Sequence, residues 1–179
     1  MSYTRSQQAT GQVYFFPVPT DDIANLATGV VHLVESRIPV TEQHRCLIMP
    51  RNANYAGAPA CASIRFAALN APSPTIGEIV HGRMQLERPH DIVFVQGTTW
   101  PRKHCRLDWP GVETTSVPIH TGDDEGGPIT RERVAKEVAT VIYRFFKANP
   151  HIRVPLAYVR LLALSYYHHT WVPILALDC

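Results

Sequence analysis

The stretch "AYVRLLALSYYHHTWVPILALDC" (residues 157–179) contains two apolar runs, one on each side of a pair of histidines. Each run is short and rich in residues that favour strands, so the stretch predicts two β-strands joined near residues 167–170. The first strand would carry Val159, Leu161 and Ala163 on one face, and Arg160, Leu162 and Leu164 on the other. Because both faces are mostly apolar, we expect this strand to be buried on both sides.

The two histidines between these runs, His168 and His169, predict a turn rather than a metal site. Neighbouring side chains point to opposite faces of a strand, and on a helix they lie about 100° apart, so neither arrangement aims both rings at one ion. Zinc sites usually space their histidines further apart and add more ligands. Histidine also tolerates left-handed backbone angles better than most residues. One of the two rings acting as a ligand or a base stays an alternative.

The segment "GPITRERVAKEVATVIYRFFKANP" (residues 127–150) predicts the main helix of the fold. Its apolar residues recur at helical spacing and would form one stripe, made of Val134, Val138, Val141, Ile142 and Phe145. Thr130 is expected to cap the N-terminus, because its hydroxyl can accept a hydrogen bond from a free amide of the first turn. Asn149 and Pro150 are expected to end the helix. We therefore predict a helix over about residues 130–147.

The rest of the chain predicts short strands separated by rigid turns. Strand-like runs occur at residues 43–50, 62–70 and 90–97, and a second helix could begin at Ser73 or Thr75. The 15 prolines are expected to interrupt helices and central strands. The sequence thus predicts an α+β fold, in which a mostly antiparallel sheet is packed by one main helix and connected by proline-rich loops.

Length and composition fit one compact domain with its own core. The chain has 179 residues, of which 45% are hydrophobic and 18% are charged. We expect a single domain over residues 12–179, preceded by a flexible segment over residues 1–11. The net charge of +2 is far from the basic excess that neutralises many phosphates, so nucleic acid is an unlikely partner. No run approaches the roughly 18 apolar residues that cross a membrane.

Cysteine usage and the N-terminus indicate the compartment. Cys46, Cys61, Cys105 and Cys179 include no C-x-x-C pair, and the opening "MSYTRSQQATG" lacks the apolar core of a signal peptide. We therefore predict an intracellular, cytoplasmic protein with reduced thiols. The even number of cysteines leaves a disulfide as an alternative.

The run "TTWPRKHCRLDWP" (residues 98–110) interleaves basic residues with two tryptophans. If it forms a strand, Arg102, His104 and Arg106 share one face. This pattern predicts an edge strand with one solvated face, although cations beside aromatic rings could also contact a protein, a ligand or single-stranded nucleic acid. The candidate partner- or ligand-binding residues of the whole chain are Trp100, Arg102, His104, Arg106, Trp109, His168, His169 and Trp171.

No arrangement of residues predicts a catalytic centre. The chain has no G-x-S-x-G motif, and its acidic residues show no spacing typical of an acid–base pair. Cys105 directly follows His104, but a general base must be adjacent in space rather than in sequence. We therefore predict no catalytic residues, no metal site and no cofactor, and favour a protein that is not an enzyme while leaving that question open.

Residues 105–146 resemble a domain found in many uncharacterised proteins of mushroom-forming fungi. In that family a strand ending in Trp-Pro is followed by a spacer and an "ITV.DVL..IY..L"-like helix. The matching positions here are Trp109–Pro110, Pro128-Ile129-Thr130, Val134, Val138, Ile142 and Tyr143. The closing strands extend the resemblance to about residues 90–179, whereas Arg131–Glu132 departs from the family pattern. The resemblance implies a fold and a fungal origin, and no activity.

Two functions are compatible with the sequence. Low charge and abundant apolar strands favour a non-enzymatic protein-interaction module, which could also self-assemble into a homo-oligomer. The alternative is a small ligand-binding protein or enzyme that uses histidine and tryptophan side chains in a cleft beside residues 98–110.

Overall fold

A computed structural model describes residues 14–15, 32–37, 43–49, 52–55, 59–69, 71, 73–94, 102–122 and 127–178. The predicted flexible segment over residues 1–11 lies outside the described residues, as do the candidate residue Trp100 and Cys179.

The described residues form strands β1 (Tyr14–Phe15), β2 (His32–Arg37), β3 (Gln43–Ile48), β4 (Ile64–Arg65), β5 (Ile92–Val93), β6 (Arg102–Trp109), β7 (Val112–His120), β8 (Ile129–Thr130), β9 (Val159–Tyr167) and β10 (Thr170–Asp178). They also form helices α1 (Ile76–Val80) and α2 (Arg131–Ala148) and the 3₁₀ turns Ala53–Tyr55 and Leu156–Tyr158. Strands β5 and β8 pair with each other, and the other described strands form one mixed sheet.

The sheet is organised around β10, which pairs with three strands. Strand β9 runs antiparallel beside it from Thr170 to Leu177. The opposite edge of β10 is shared by β6, which pairs in parallel at Thr170 and Trp171, and by β3, which pairs antiparallel from Ala176 to Asp178. Strand β7 then follows β6, and β2 and β1 follow β3. Both halves of the sheet are therefore attached to β10.

Pro173 lies where the shared edge of β10 passes from β6 to β3. Its register partner on β9 is Leu164, and it lies between the residues that pair with β6 and those that pair with β3. Proline has no N–H to donate to a ladder, so it is tolerated in a strand only where no neighbour needs that donor. The division of this edge between two strands provides such a position.

The predicted α+β fold is confirmed. Most strand pairs are antiparallel, and the parallel pairs in the described residues are β1 with β2 and β6 with β10. The interpretation of residues 98–110 as an edge strand is wrong, because β6 lies between β10 and β7. Polar residues alternate along β6 because one of its faces carries a polar cluster, and not because the strand lies at the edge of the sheet.

The turn predicted at the histidine pair is confirmed. His168 and His169 connect β9 to β10 and have φ angles of 43° and 68°. A two-residue hairpin turn with positive φ at both positions matches the twist of antiparallel strands. These two residues therefore serve a conformational role at this position.

A β-bulge in β9 changes which residues face α2. Leu162 is an extra residue between two that pair with β10. As a result, Leu161 and Leu164 both belong to the core on the α2 side, whereas Leu162 and Ala163 belong to the cluster on the other face. The strict alternation expected for residues 159–164 is therefore wrong, although all of these residues are buried as predicted.

Helix α2 matches the predicted main helix to within one residue at each end. It begins after Thr130, whose hydroxyl accepts a hydrogen bond from the backbone N–H of Arg133 at 3.3 Å, and ends before Asn149. Its buried stripe consists of Val134, Ala135, Val138, Ala139, Val141, Ile142, Phe145 and Phe146. Among the described residues, no helix is both long and apolar enough to span a membrane.

A buried arginine connects β9, β10 and the segment that leads into α1. Arg160 donates to both carboxylate oxygens of Asp178, at 2.5 and 2.8 Å, and to the backbone carbonyl of Ser73 at 2.5 Å. Such bidentate pairing satisfies a guanidinium that has been removed from water. The Arg160 side chain therefore orients the chain just before Thr75, which caps α1 in a reciprocal capping box with Glu78.

Shortening a core side chain of β9 should destabilise the fold strongly. Leu161 has no exposed surface, and a buried Leu→Ala substitution typically lowers the free energy of unfolding by about 2–5 kcal/mol. We expect a loss in this range for Leu161→Ala in urea denaturation. Leu69→Ala is the matched control, because Leu69 is 60% exposed and should change stability by less than about 0.5 kcal/mol. Similar losses for the two variants would contradict the central position of β9.

Candidate functional site

The two tryptophans of the candidate set that the structure describes belong to the core. Trp109 packs edge-on against Phe146, with ring centroids 4.9 Å apart. Trp171 packs against Phe94 and Tyr166, at 4.9 and 4.8 Å. Both indole side chains are buried, so neither ring is available to a partner in this structure.

The candidate histidines are exposed and do not form a metal centre. His104 lies on β6 with its Nδ1 atom 3.2 Å from the Ser116 hydroxyl, and His168 and His169 form the β9–β10 turn. In the part of the chain that the structure describes, no group of three or more His, Cys, Asp and Glu side chains could hold a metal ion. Arg102 is the first residue of β6.

A polar cluster lies on the face of the sheet opposite α2. It consists of Tyr55, Arg106, Asp108 and Thr114, and we call it the Tyr55 cluster. Arg106 and Asp108 are two residues apart on β6, and strand alternation therefore places them on the same face. Thr114 comes from β7, the neighbouring strand.

Tyr55 reaches this face from a separate element of the chain. It ends the 3₁₀ turn Ala53–Tyr55, in which its N–H donates to the carbonyl of Asn52 at 3.0 Å. Its ring packs with Tyr167 of β9, at 5.7 Å between centroids, and belongs to the same buried group as Val172 of β10. The aromatic ring thus lies against the sheet beside β6.

The contacts within the Tyr55 cluster are few and specific. The Thr114 hydroxyl donates to Asp108 Oδ1 at 2.6 Å. The Arg106 guanidinium lies 5.6 Å from the centroid of the Tyr55 ring, within the range of a cation–π contact. The Arg106 Nε atom is 3.9 Å from Asp108 Oδ1, which is too long for a direct hydrogen bond.

Three polar atoms of the cluster are buried without a hydrogen-bond partner among the described residues. They are the Tyr55 hydroxyl, Arg106 Nε and Asp108 Oδ2. Tyr55 is only 3% exposed, whereas the Arg106 side chain is 35% exposed. The cluster is therefore closed at Tyr55 and reaches solvent at Arg106.

Burial further favours the protonated form of the Tyr55 hydroxyl. Desolvation raises the pKa of Tyr55 above 10.0, and the effect is partly offset by the nearby Arg106 cation and reinforced by the Asp108 carboxylate. The phenol is therefore protonated at neutral pH and can donate a hydrogen bond.

The sequence identified only part of this cluster. Arg106 was among the candidates, but Tyr55, Asp108 and Thr114 were not. The alternation along β6 could have revealed Asp108, because it continues the face shared by His104 and Arg106. Nothing in the sequence indicates Tyr55, since it is brought to β6 by a long-range contact.

Cys105 is a structural thiol rather than a nucleophile. It is completely buried on the α2 side of β6, and burial, with a smaller contribution from the Glu137 carboxylate, raises its pKa to about 12. A thiol with this pKa is protonated at neutral pH and reacts slowly. The Glu137 carboxylate is itself bound to His120, whose ring Nδ1 atom lies 2.6 Å away.

Among the described strands, β7 ends one side of the sheet, where a further strand could pair. Pro118 lies opposite His104 of β6. The carbonyl of His104 accepts from the Thr170 hydroxyl at 3.0 Å and so faces β10 rather than β7. In an antiparallel ladder, two directly opposite residues either bond to each other or both direct their backbone groups away from each other. Pro118 therefore directs its backbone groups away from β6, toward the free edge of β7. Pro118 lacks an N–H, and this position of the free edge therefore offers no donor.

The rest of the β7 edge is protected in two further ways. The same alternation directs the N–H of His120 outward, where the Glu137 carboxylate accepts it at 2.7 Å. A register shift between Leu107 and Trp109 indicates a bulge near the other end of the pair. Proline, bulges and covered donors are the means by which natural sheets resist strand addition.

Restoring the missing donor on this edge should promote self-association. We expect Pro118→Thr to strengthen dimer formation by about tenfold, because one additional intermolecular hydrogen bond becomes available. Analytical ultracentrifugation over a concentration series measures the change. Pro150→Thr is the control, because Pro150 lies after α2 and outside any strand. An unchanged association constant for Pro118→Thr would show that Pro118 does not protect the edge.

No protein-family model, no characterised protein and no solved structure matches this chain. The resemblance to the fungal domain family over residues 90–179 stays a prediction, and a function has to be inferred from the chemistry of the Tyr55 cluster.

Proposed function

We propose that this protein binds a small polar molecule at the Tyr55 cluster. The observation that carries the proposal is the set of three buried polar atoms, on Tyr55, Arg106 and Asp108, that have no partner among the described residues. Nearly all buried polar groups in native proteins are hydrogen-bonded, and leaving one unpaired costs about 1–3 kcal/mol. Water or a ligand can supply the missing partners, and we infer a ligand because the three atoms lie on neighbouring side chains.

The surroundings of the cluster support a binding site. Arg106 lies in the regular pairing of β6 with β7, and Asp108 and Thr114 lie at the register shift between the same strands. Such irregularities re-aim side chains and are common beside active sites. Tyr167 and Val172 form a buried apolar group with Tyr55. Apolar walls with a few converging polar groups are typical of small-molecule sites.

A protein-interaction or self-assembling role stays a prediction from the low charge of the chain. It receives less support than ligand binding, because the β7 edge is protected at Pro118 and His120. A homo-oligomer would have to use another surface. We also keep the inference of an intracellular, cytoplasmic location, for which the free thiols of Cys61 and Cys105 are the support.

Binding at the Tyr55 cluster predicts a defined response to polar fragments. In ¹H–¹⁵N NMR spectra of the labelled protein, some members of a library of neutral and singly charged polar fragments should shift the amide signals of Arg106, Asp108 and Thr114. Tyr55→Phe removes one donor, so the affinity of these fragments should fall by about tenfold. Tyr158→Phe is the matched control, because Tyr158 is 54% exposed and should leave the affinity unchanged.

The stability of Tyr55→Phe separates a binding site from a structural polar network. A hydroxyl that has no partner in the free protein can be removed with a change of less than about 0.5 kcal/mol in the free energy of unfolding, or with a gain. A loss above about 1 kcal/mol would indicate that the hydroxyl is already satisfied. The proposal would also be refuted if no fragment shifted the signals of the cluster.

A further inference from the structure

The chemistry of the Tyr55 cluster also narrows the class of its ligand, provided that the proposed function is correct. The first constraint is charge. Arg106 and Asp108 carry opposite charges 3.9 Å apart at their nearest side-chain atoms, and they therefore compensate each other. A charged ligand would be attracted by one of them and repelled by the other at similar range. The cluster thus favours an uncharged group.

The second constraint is the set of hydrogen bonds that remain to be made. Arg106 Nε can only donate, and the protonated Tyr55 hydroxyl is free to donate as well. Asp108 Oδ2 is a carboxylate oxygen and can only accept, and the other oxygen of the same group already accepts from Thr114. The ligand must therefore offer an acceptor to Tyr55 and Arg106 and a donor to Asp108.

The third constraint is access. Tyr55, Tyr167 and Val172 are buried in one apolar group, whereas the Arg106 side chain is 35% exposed. A ligand would therefore reach the cluster from the Arg106 side, with its polar group directed inward.

We propose that the ligand presents an uncharged amide edge, in which one carbonyl oxygen and one N–H lie side by side, to Tyr55, Arg106 and Asp108. Carboxamides, lactams and the lactam edges of heterocycles share this arrangement. A carboxylate would place an oxygen against Asp108 Oδ2, and an amidinium would place N–H groups against Arg106 Nε, so each would leave at least one buried polar atom unpaired.

Three probes with the same ring test this assignment. Benzamide, benzoate and benzamidinium differ in the charge and hydrogen-bonding of one group and share the remainder of the molecule. Titration followed by ¹H–¹⁵N NMR should give an affinity for benzamide at least about tenfold higher than for either ion, since one mispaired buried group has this effect on binding. Tighter binding of benzoate or benzamidinium by the wild-type protein would overturn the assignment while leaving ligand binding intact.

The substitution Asp108→Asn should reverse the preference for benzamide over benzoate. Asp108→Asn can still accept from Thr114 through its carbonyl oxygen, but it presents an N–H₂ group in place of the free acceptor and removes the negative charge. We expect benzoate to gain about tenfold in affinity and benzamide to lose about as much. Glu113→Gln is the control, because it removes one exposed negative charge from β7 without touching the cluster, and should keep the wild-type order.

These measurements test the amide assignment separately from ligand binding at the Tyr55 cluster. An unchanged order of affinities in Asp108→Asn would refute the amide assignment, because Asp108 would then not select the ligand. If none of the three probes shifts the cluster but other fragments of the polar library do, the ligand class is wrong and the binding function stands. If no fragment of any class shifts the cluster, both are wrong.

Discussion

The fold depends on the backbone pairing of β10. A strand has two edges, and β10 pairs with three strands because β6 and β3 share one of its edges. Pro173 lies at the division, where neither neighbour requires an N–H donor. The other edge pairs with β9 through a tight turn at His168 and His169. Among the described strands, β6 and β7 join the rest of the sheet through β10. The position of the polar cluster within the sheet therefore depends on a strand that contributes no polar atom to it.

The two faces of β6 differ in polarity and in the packing that they provide. The residues that face α2, Cys105, Leu107 and Trp109, are buried in the main core and supply apolar contact area. Arg106 and Asp108, on the other face, each carry a buried polar atom that has no hydrogen-bond partner among the described residues. Groups that do not favour stability are common at functional sites, and the proposed ligand is therefore placed on this face.

Local features of the fold were predictable, and long-range features were not. The ends of α2 follow from Thr130 and from Asn149–Pro150, because capping and helix termination depend on neighbouring residues. The histidine turn follows from backbone preferences in the same way. The bulge at Leu162 depends on a register that only the partner strand defines. For the site, Arg106 was identified from its own strand, whereas Tyr55 comes from a turn about fifty residues earlier, and no periodic pattern connects the two.

Hydrogen exchange of the β10 backbone tests most directly whether this strand holds the fold together. Amides of the most buried region of a cooperative domain exchange only when the whole domain unfolds. We expect the amides of residues 174–177 to show the highest protection in the chain, with an exchange free energy equal to the free energy of unfolding measured by denaturant. Faster exchange in this segment than in the centre of α2, for example at Ile142, would contradict the account, because β6 and the cluster on it would then be held by something other than β10.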